Sequence, residues 1–231
     1  MKYYTTKTKF NCGIDLHSKQ MYVCIMDREG RILLHRNIRG NDFAFFLKLV
    51  KPYLHDLTVV CECTFNWYWL ADACFAAGIQ FVLAHALYLK HIHGGKNKND
   101  RIDSEKLAHL LRANLIPPAY VYPAARRPIR ALLRQRMSYV WQRSELLTHL
   151  SMNQMAQGLV PAAKCGHNRE VWEERILEQY ENPLHRFGAS RDMEIVKAYD
   201  AQIEMLDQKL EHLAKAYDER DYRLVLTTPG I

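Results

Sequence analysis

Glycine and proline are scarce, at 10 and 8 of 231 residues. Collagen-like and low-complexity architectures are thereby excluded. Long apolar runs are also missing. The most apolar stretch, 71–89, is interrupted by Asp72, Gly78, Gln80 and His85, whereas a membrane-spanning helix needs roughly 20 continuous apolar residues. No apolar segment comes after the basic opening MKYYTTKTKFNCG, so no secretory leader is expected and the chain reads as cytoplasmic. The six cysteines, at 12, 24, 61, 63, 74 and 165, contain no C-x-x-C pair. That spacing fits neither a zinc ribbon nor a disulfide framework, and reduced, mostly buried thiols are expected.

What is present is a chain able to bury a core: 48% of residues are apolar and 25% charged, which excludes general disorder. The formal net charge is +7. Residues 1–120 carry 16 Lys and Arg against 10 Asp and Glu, and residues 121–231 carry 16 against 15. The basic excess therefore lies in the first part, and it favours a polyanionic partner without establishing one.

The order of elements can be read from periodicity. Residues 10–16, 20–26 and 31–38 read as three strands joined by short connections, an antiparallel meander with a turn at Asp27-Arg28-Glu29-Gly30. Gly40-Asn41-Asp42 offers an N-cap to a helix carrying Phe43, Phe46, Leu47 and Val50, stopped near Pro52. Residues 57–61 read as a buried strand, 67–77 as a helix closed by Gly78, and 79–84 as a fifth strand. Strands four and five come after crossover helices, so each is expected to run parallel to a neighbour. This β-β-β-α-β-α-β order predicts an α/β fold with a ribonuclease-H-like mixed five-stranded sheet and flanking helices. Residues 85–100 read as a polar loop, and 102–114 as a helix.

Pro117, Pro118 and Pro123 place a boundary near 116–125, and the rest of the chain is almost all helical. Leu133, Val140 and Leu147 recur at seven-residue spacing in a long helix over 126–159, and a short helix over 170–180 stops near Pro183. Val196, Tyr199, Ile203, Leu206, Leu210, Leu213 and Tyr217 have 3-4-3-4-3-4 spacing, a heptad seam within a helix over 191–217. An antiparallel hairpin or coiled coil is expected, with the seam covered by the 126–159 helix or by another protomer.

Four carboxylates stand out. Asp15 lies in the first strand, Glu62 closes the fourth, and Asp100 and Asp103 sit three apart at a helix start. Strands rich in Ile, Val and Leu rarely carry Asp or Glu. With the first and fourth strands adjacent, Asp15 and Glu62 share one sheet edge, and a helix packed on the sheet can bring Asp100 and Asp103 beside them. Four such groups repel unless cations neutralise them. Oxygen ligands suit Mg²⁺ or Mn²⁺, and two ions ~4 Å apart support phosphodiester chemistry. Taken singly, each residue has a plainer reading: Asp100 or Asp103 as an N-cap, Asp15 or Glu62 as an exposed strand residue.

The segments GIDLHSK, VVCECTFNWYWLADACFAAGIQFVLAHALYLKHI and KNKNDRIDSEKLAHLL resemble the N-terminal half of the DEDD insertion-sequence transposases. These are bridge-RNA-guided recombinases related to the pilin-gene inverting recombinase. The resemblance spans about residues 10–115; beyond that it is one of general helical character. It implies a RuvC-like catalytic domain over 1–120, a helical coiled-coil domain over 121–221, and at 222–231 the opening of a C-terminal transposase domain, since LVLTTPGI is similar to the motif where that domain begins. By position, Asp15, Glu62, Asp100 and Asp103 match the family's catalytic and metal-binding tetrad. Two departures lie beside it: the family's K-T-D-x-x-D-A reads Lys98-Asn99-Asp100-Arg101-Ile102-Asp103-Ser104, and the Gly after the Glu motif is replaced by Phe65.

The resemblance implies metal-dependent cleavage and joining of DNA strands, with Mg²⁺ or Mn²⁺ as cofactor in two sites. The partners implied are insertion-sequence DNA, a guide RNA and a second protomer through the helical region. The family's C-terminal serine nucleophile is expected to lie outside this sequence. Alternatives from other classes are a stand-alone structure-specific nuclease using water, and a non-catalytic fragment that binds nucleic acid or dimerises. Candidate phosphate contacts are Lys96, Lys98 and Arg101 beside the acidic pair, and the stripe Arg126, Arg127, Arg130 and Arg134, which continues to Arg136 and Arg143 with no acidic residue between 126 and 143. The plainer reading of that stripe is a solvated face pairing with the acidic helix over 170–181. His17, His91 and His93 read as peripheral or exposed, and Trp67, Tyr68 and Trp69 as core.

Overall fold

A computed structural model describes residues 2–92, 99–161 and 169–228. The chain divides into two compact units, Met1–Val121 and Tyr122–Ile231.

In the first unit, five strands make one sheet: β1 (Phe10–Leu16), β2 (Gln20–Met26), β3 (Ile32–Arg39), β4 (Leu57–Glu62) and β5 (Gln80–Ala84). The order is β3-β2-β1-β4-β5. The β1–β2 and β2–β3 pairs are antiparallel, and the β1–β4 and β4–β5 pairs are parallel. This is the ribonuclease-H-like arrangement expected from the element order. Successive side chains on β1 point to opposite faces of the sheet. Cys12, Ile14 and Leu16 go to the face covered by α1 (Phe43–Val50) and α2 (Tyr68–Ala76), where Phe46, Val50, Trp67, Leu70 and Cys74 complete the larger core. Asp42 caps α1, its carboxylate accepting from the Phe45 N–H at 2.9 Å. Gly78 ends the α2 segment with φ +68°.

The opposite face is covered by α4 (Asp100–Arg112). Its Leu107, Leu110 and Leu111 pack with Val60 and Val82, and its Ala108 with Cys24 and Met26. Each buried leucine contributes about 1.5–3 kcal/mol. Contact is closest at Gly13. A Cβ there would lie 2.2 Å from the Ser104 carbonyl oxygen and 2.4 Å from the Ala108 nitrogen. Only a residue without a side chain lets helix backbone rest on strand backbone in this way.

Two local differences from the sequence reading have clear causes. Residues 86–92, expected as loop, form α3 (Ala86–Ile92). Only Leu89 is buried there, while Leu87 and Tyr88 beside it are exposed, so the apolar residues of this short segment do not mark one helix face. Pro52 does not end the chain's helical course but lies at the start of a 3₁₀ turn, Lys51–Asp56, where its missing N–H is tolerated. Of the five described cysteines all are free, and four are buried. Burial pushes the Cys12 and Cys61 thiols well up and those of Cys24 and Cys74 up to about 12, so they pack as small apolar groups. Cys165 lies outside the described residues.

The second unit contains α5 (Arg127–Ala156), α6 (Arg169–Glu178), α7 (Pro183–Tyr217) and α8 (Glu219–Leu226). Its core gathers Leu150, Ile176, Tyr180, Ala189 and Met193. Helices α5 and α7 run antiparallel, as their partners show: Arg136 meets Asp207, Arg143 meets Asp200, and His149 Nδ1 meets Asp192 Oδ2 at 3.0 Å. The step from the first pair to the second is seven residues on both helices, the heptad spacing of the seam. The α7 helix begins at Pro183 rather than near residue 191. Pro183 sits in its first turn behind the Asn182 cap, whose side chain accepts from Leu184 N at 2.9 Å. Proline after a capping residue is a start signal, here misread as a stop. The 222–228 stretch, read as opening a new segment, is largely helical within α8; residues 229–231 lie outside the described residues.

A charged cluster joins three helices of this unit. Glu173 accepts from Arg169 at 2.7 Å and from Lys197 at 2.7 Å, and Arg169 also meets Asp200. Burial alone would raise the Glu173 carboxyl, but the Lys197 and Arg169 hydrogen bonds overcome it and hold it below its ordinary 4.5. A depressed folded-state value means stability that is present above the unfolded value and lost as pH falls through the folded one. Glu173→Gln is therefore expected to lower the urea midpoint of the α5–α7 unfolding transition at pH 7. It should also flatten its decline below pH about 4.5. An unchanged acid limb in the variant would contradict this role.

Candidate metal centre

The site is built on the α4 face of the sheet. Asp15 is two residues beyond Gly13 on β1, so it points to the same face. Glu62 is two beyond Val60, which packs against α4, and is also on that face. Ile14 lies beside Cys61 in the parallel β1–β4 register, which makes Asp15 and Glu62 the next residues on adjacent strands. Asp100 and Asp103 occupy the first turn of α4. Neither is the cap: Asn99 is, its side-chain oxygen accepting from Arg101 N at 3.1 Å. Asn thus performs at position 99 the capping that Thr could provide. Ser104 is fully buried where the resembled motif has Ala, and its hydroxyl donates to the Arg101 carbonyl at 2.9 Å.

Three groups converge within ligand distance. The ligand atoms of Asp15, His17 and Asp100 all lie within 4.8 Å of one another, the only such group among the described residues. His17 Nε2 is 3.1 Å from Asp15 Oδ2 and 3.3 Å from Asp100 Oδ1. The His17 backbone is held by Asn41 and Asn66, whose side-chain amides each donate to its carbonyl at 3.0 Å. Burial pushes the Asp15 carboxyl up, and the Asp100 and Asp103 charges add to this, while the His17 imidazole acts in the opposite direction. A carboxylate so placed gains from a neutralising cation. The donor set of two carboxylates and one imidazole fits a divalent ion.

Glu62 and Asp103 lie outside this group of three. Asp103 instead accepts from Lys106 Nζ at 3.2 Å. The sequence reading did not select His17 as a ligand. Its signal was the i, i+2 spacing from Asp15 across a strand end, which is too common to choose it without the fold. Lys96, Lys98 and His93 lie outside the described residues. Arg101 is exposed on the first turn of α4, and its carbonyl accepts from His35 Nε2 at 2.9 Å.

The remaining candidates belong to the second unit. Arg126 donates to the Tyr217 hydroxyl at 2.7 Å, Arg127 to the Tyr122 carbonyl at 2.9 Å, and Arg130 stacks 4.7 Å over the Tyr122 ring. Arg134 is exposed. The carboxylates that meet Arg136 and Arg143 are Asp207 and Asp200 of α7, rather than the acidic helix expected from sequence.

A transposase family model, that of the IS110-type DEDD transposases, matches residues 12–156. The chain belongs to this DEDD transposase family. The match takes in nearly the whole sheet, the three segments that bear the four carboxylates and all of α5. No curated protein matches the transposase chain significantly. Among solved structures, the large terminase nuclease of thermophilic phage G20c with bound zinc is similar at 16% identity, with a TM-score of 0.32, covering 49% of this chain and 65% of that one. The same nuclease with bound magnesium gives 17%, 0.30, 49% and 59%. The ethanolamine utilization protein EutJ from Carboxydothermus hydrogenoformans gives 12%, 0.23, 36% and 39%. The chain thus spans less than two thirds of each of these structures. Among the described residues, no helix is long and apolar enough to cross a membrane.

Proposed function

We propose that this DEDD transposase cleaves and joins DNA strands with divalent metal, Mg²⁺ or Mn²⁺, during insertion-sequence transposition. The observation that carries the reading is the convergence of Asp15 from β1 and Asp100 from α4, in a family whose members are transposases. Asp15 and Asp100 would hold one ion between them. Glu62, next to Asp15 on the adjacent strand, and Asp103, one turn along α4, would complete a second position once Lys106 releases the Asp103 carboxylate. Bound metal would supply Lewis-acid stabilisation of charge at the scissile phosphate. The chain's own groups place that metal: the sheet edge fixes two carboxylates, and the helix start brings two more.

Substrate DNA and a guide RNA are the proposed polyanionic partners. Arg126 just before α5 and Arg127, Arg130 and Arg134 on it, with Arg101 and, close to Asp100 in sequence, Lys96 and Lys98, are the proposed phosphate contacts. A second copy of the chain is the proposed protein partner of the helical unit. Leu133, Met137 and Trp141 support this, being exposed at four-residue spacing along one face of α5.

The test is incubation of the full-length transposase, serine-bearing domain included, with linear and branched DNA, with and without Mg²⁺, beside Glu62→Gln and Asp103→Asn. Metal-dependent cleavage is expected, with a loss of at least about 100-fold in each variant. Full activity in either variant would remove that residue from the machinery. Cleavage without any joined product would favour a hydrolytic nuclease.

A further inference from the structure

We propose that Gln20, locked by Asn37, is a positioning residue that sets the Asp100 carboxylate for a divalent cation. The proposal rests on the reading of Asp15 and Asp100 as metal ligands. Asp100 is the first residue of α4, on a side chain with two rotatable bonds and 37% exposure. Packing alone does not hold such a group in one orientation. Gln20 does so from across the site: its Nε2 donates to Asp100 Oδ2 at 2.9 Å. The other oxygen, Oδ1, is left facing His17 Nε2 and the Asp15 carboxylate.

The orientation of the Gln20 amide is itself determined. The Asp100 carboxylate can only accept, so the amide nitrogen must be the end that faces it, and the Oε1 at the other end accepts from Asn37 Nδ2 at 3.1 Å. Rotated the other way, a carbonyl oxygen would oppose a carboxylate and an amide N–H would oppose another. The three residues come from β2, β3 and α4, so the relay ties the helix start to the two strands beside the site. In the β1–β2 register Asp15 pairs with Tyr22, and Gln20 lies two residues away on the same face.

A neutral amide suits this role. A lysine or arginine in its place would neutralise Asp100 and compete with the cation. Gln20 orients the carboxylate while leaving its charge available, and the amide itself carries no titratable group. Partners of this kind, one bond removed from the metal, typically change affinity by about 10–100-fold.

The experiment is titration of the full metal-free chain with Mn²⁺, monitored by isothermal calorimetry and by the electron paramagnetic resonance signal of free Mn²⁺. Gln20→Leu is expected to weaken binding about 10–100-fold, while the metal-free chain keeps its far-UV spectrum and its urea midpoint. Gln20→Asn, which keeps the amide but is too short to reach, is expected to match it, and serves if the leucine variant fails to fold. Asn37→Ala is expected to weaken binding by a smaller factor, since the freed amide can still adopt the productive orientation. Wild-type affinity in both Gln20 variants would overturn the proposal. So would a fall in urea midpoint with affinity unchanged, which would make Gln20 a packing residue. Asp15→Asn separates the two levels. If it binds Mn²⁺ like wild type, the metal reading itself fails; if it does not bind while Gln20→Leu does so normally, only the positioning role fails.

Discussion

Asp15→Asn is expected to abolish stabilisation by divalent metal and, in the same variant, to make the metal-free fold more stable. Both effects come from one cause. Asp15 is largely buried at the end of a central strand, close to Asp100, and burial raises its carboxyl above the ordinary value of 3.8. A raised folded-state value means that the folded chain holds the proton more tightly than the unfolded chain does. Stability is then present at low pH and is lost as pH rises through the raised value. At neutral pH the metal-free protein carries a buried charge that only His17 partly offsets. Asparagine keeps the shape and removes the charge. The expected result is a metal-free melting temperature at pH 7 above wild type, with a weaker decline as pH rises above 3.8. Added Mn²⁺ or Mg²⁺ raises the wild-type melting temperature and leaves the variant where it is. An equal metal-induced rise in both proteins would place the cation elsewhere. A site that is less stable empty than filled is the usual consequence of gathering like charges for catalysis.

The second large effect is expected at Gly13, which has no ionisable group at all. Gly13→Ala is expected to destabilise the first unit by about 3 kcal/mol or more, at the upper end for overpacking. The added methyl would meet the Ser104 carbonyl oxygen and the Ala108 nitrogen at 2.2 and 2.4 Å. Both are helix backbone, which cannot rotate out of the way as a side chain does. The helix must lift from the sheet, and Leu107, Leu110 and Leu111 lose contact with it. Asp100 and Asp103 ride on the same helix, so metal affinity falls as well. Gly78→Ala is the control. Gly78 needs φ +68° but has open space around the position of a Cβ, so only backbone strain of about 1 kcal/mol is expected. Urea unfolding of the two variants decides the point. A loss at Gly13 no larger than that at Gly78 would mean that the close approach is not what holds α4.

Much of the sheet was legible because its signals are local. Residues 10–16 and 20–26 carry β-branched and apolar residues at strand spacing, and the structure starts and stops β1 and β2 at those positions. The Asp42 cap and the heptad seam were legible for the same reason: a side chain three or four residues away on the same helix is a near neighbour in space. The failures were also local. The α3 helix is short and exposes apolar residues beside its one buried leucine, and Pro183 reads equally as a stop or a first-turn residue until its Asn182 cap is seen in place.

The site divides along a different line. Asp15, Glu62, Asp100 and Asp103 were selected from sequence because carboxylates are rare in apolar strands and because their motifs resemble a family. Gln20, Asn37 and Gly13 carried no such mark. Even where such a residue is uncommon in a strand, as Gly13 and Asn37 are, what distinguishes these three is what stands opposite them, far off in sequence. His17 was visible but could not be chosen. The sequence by itself therefore determined the five strands with the helices α1 and α2 between them, the sheet topology and the acidic residue types, since these come from short-range periodicity and composition. Tertiary structure alone decided which carboxylates meet, which amide orients one of them, and which glycine lets the helix approach, because each depends on a distance between segments that no local pattern encodes.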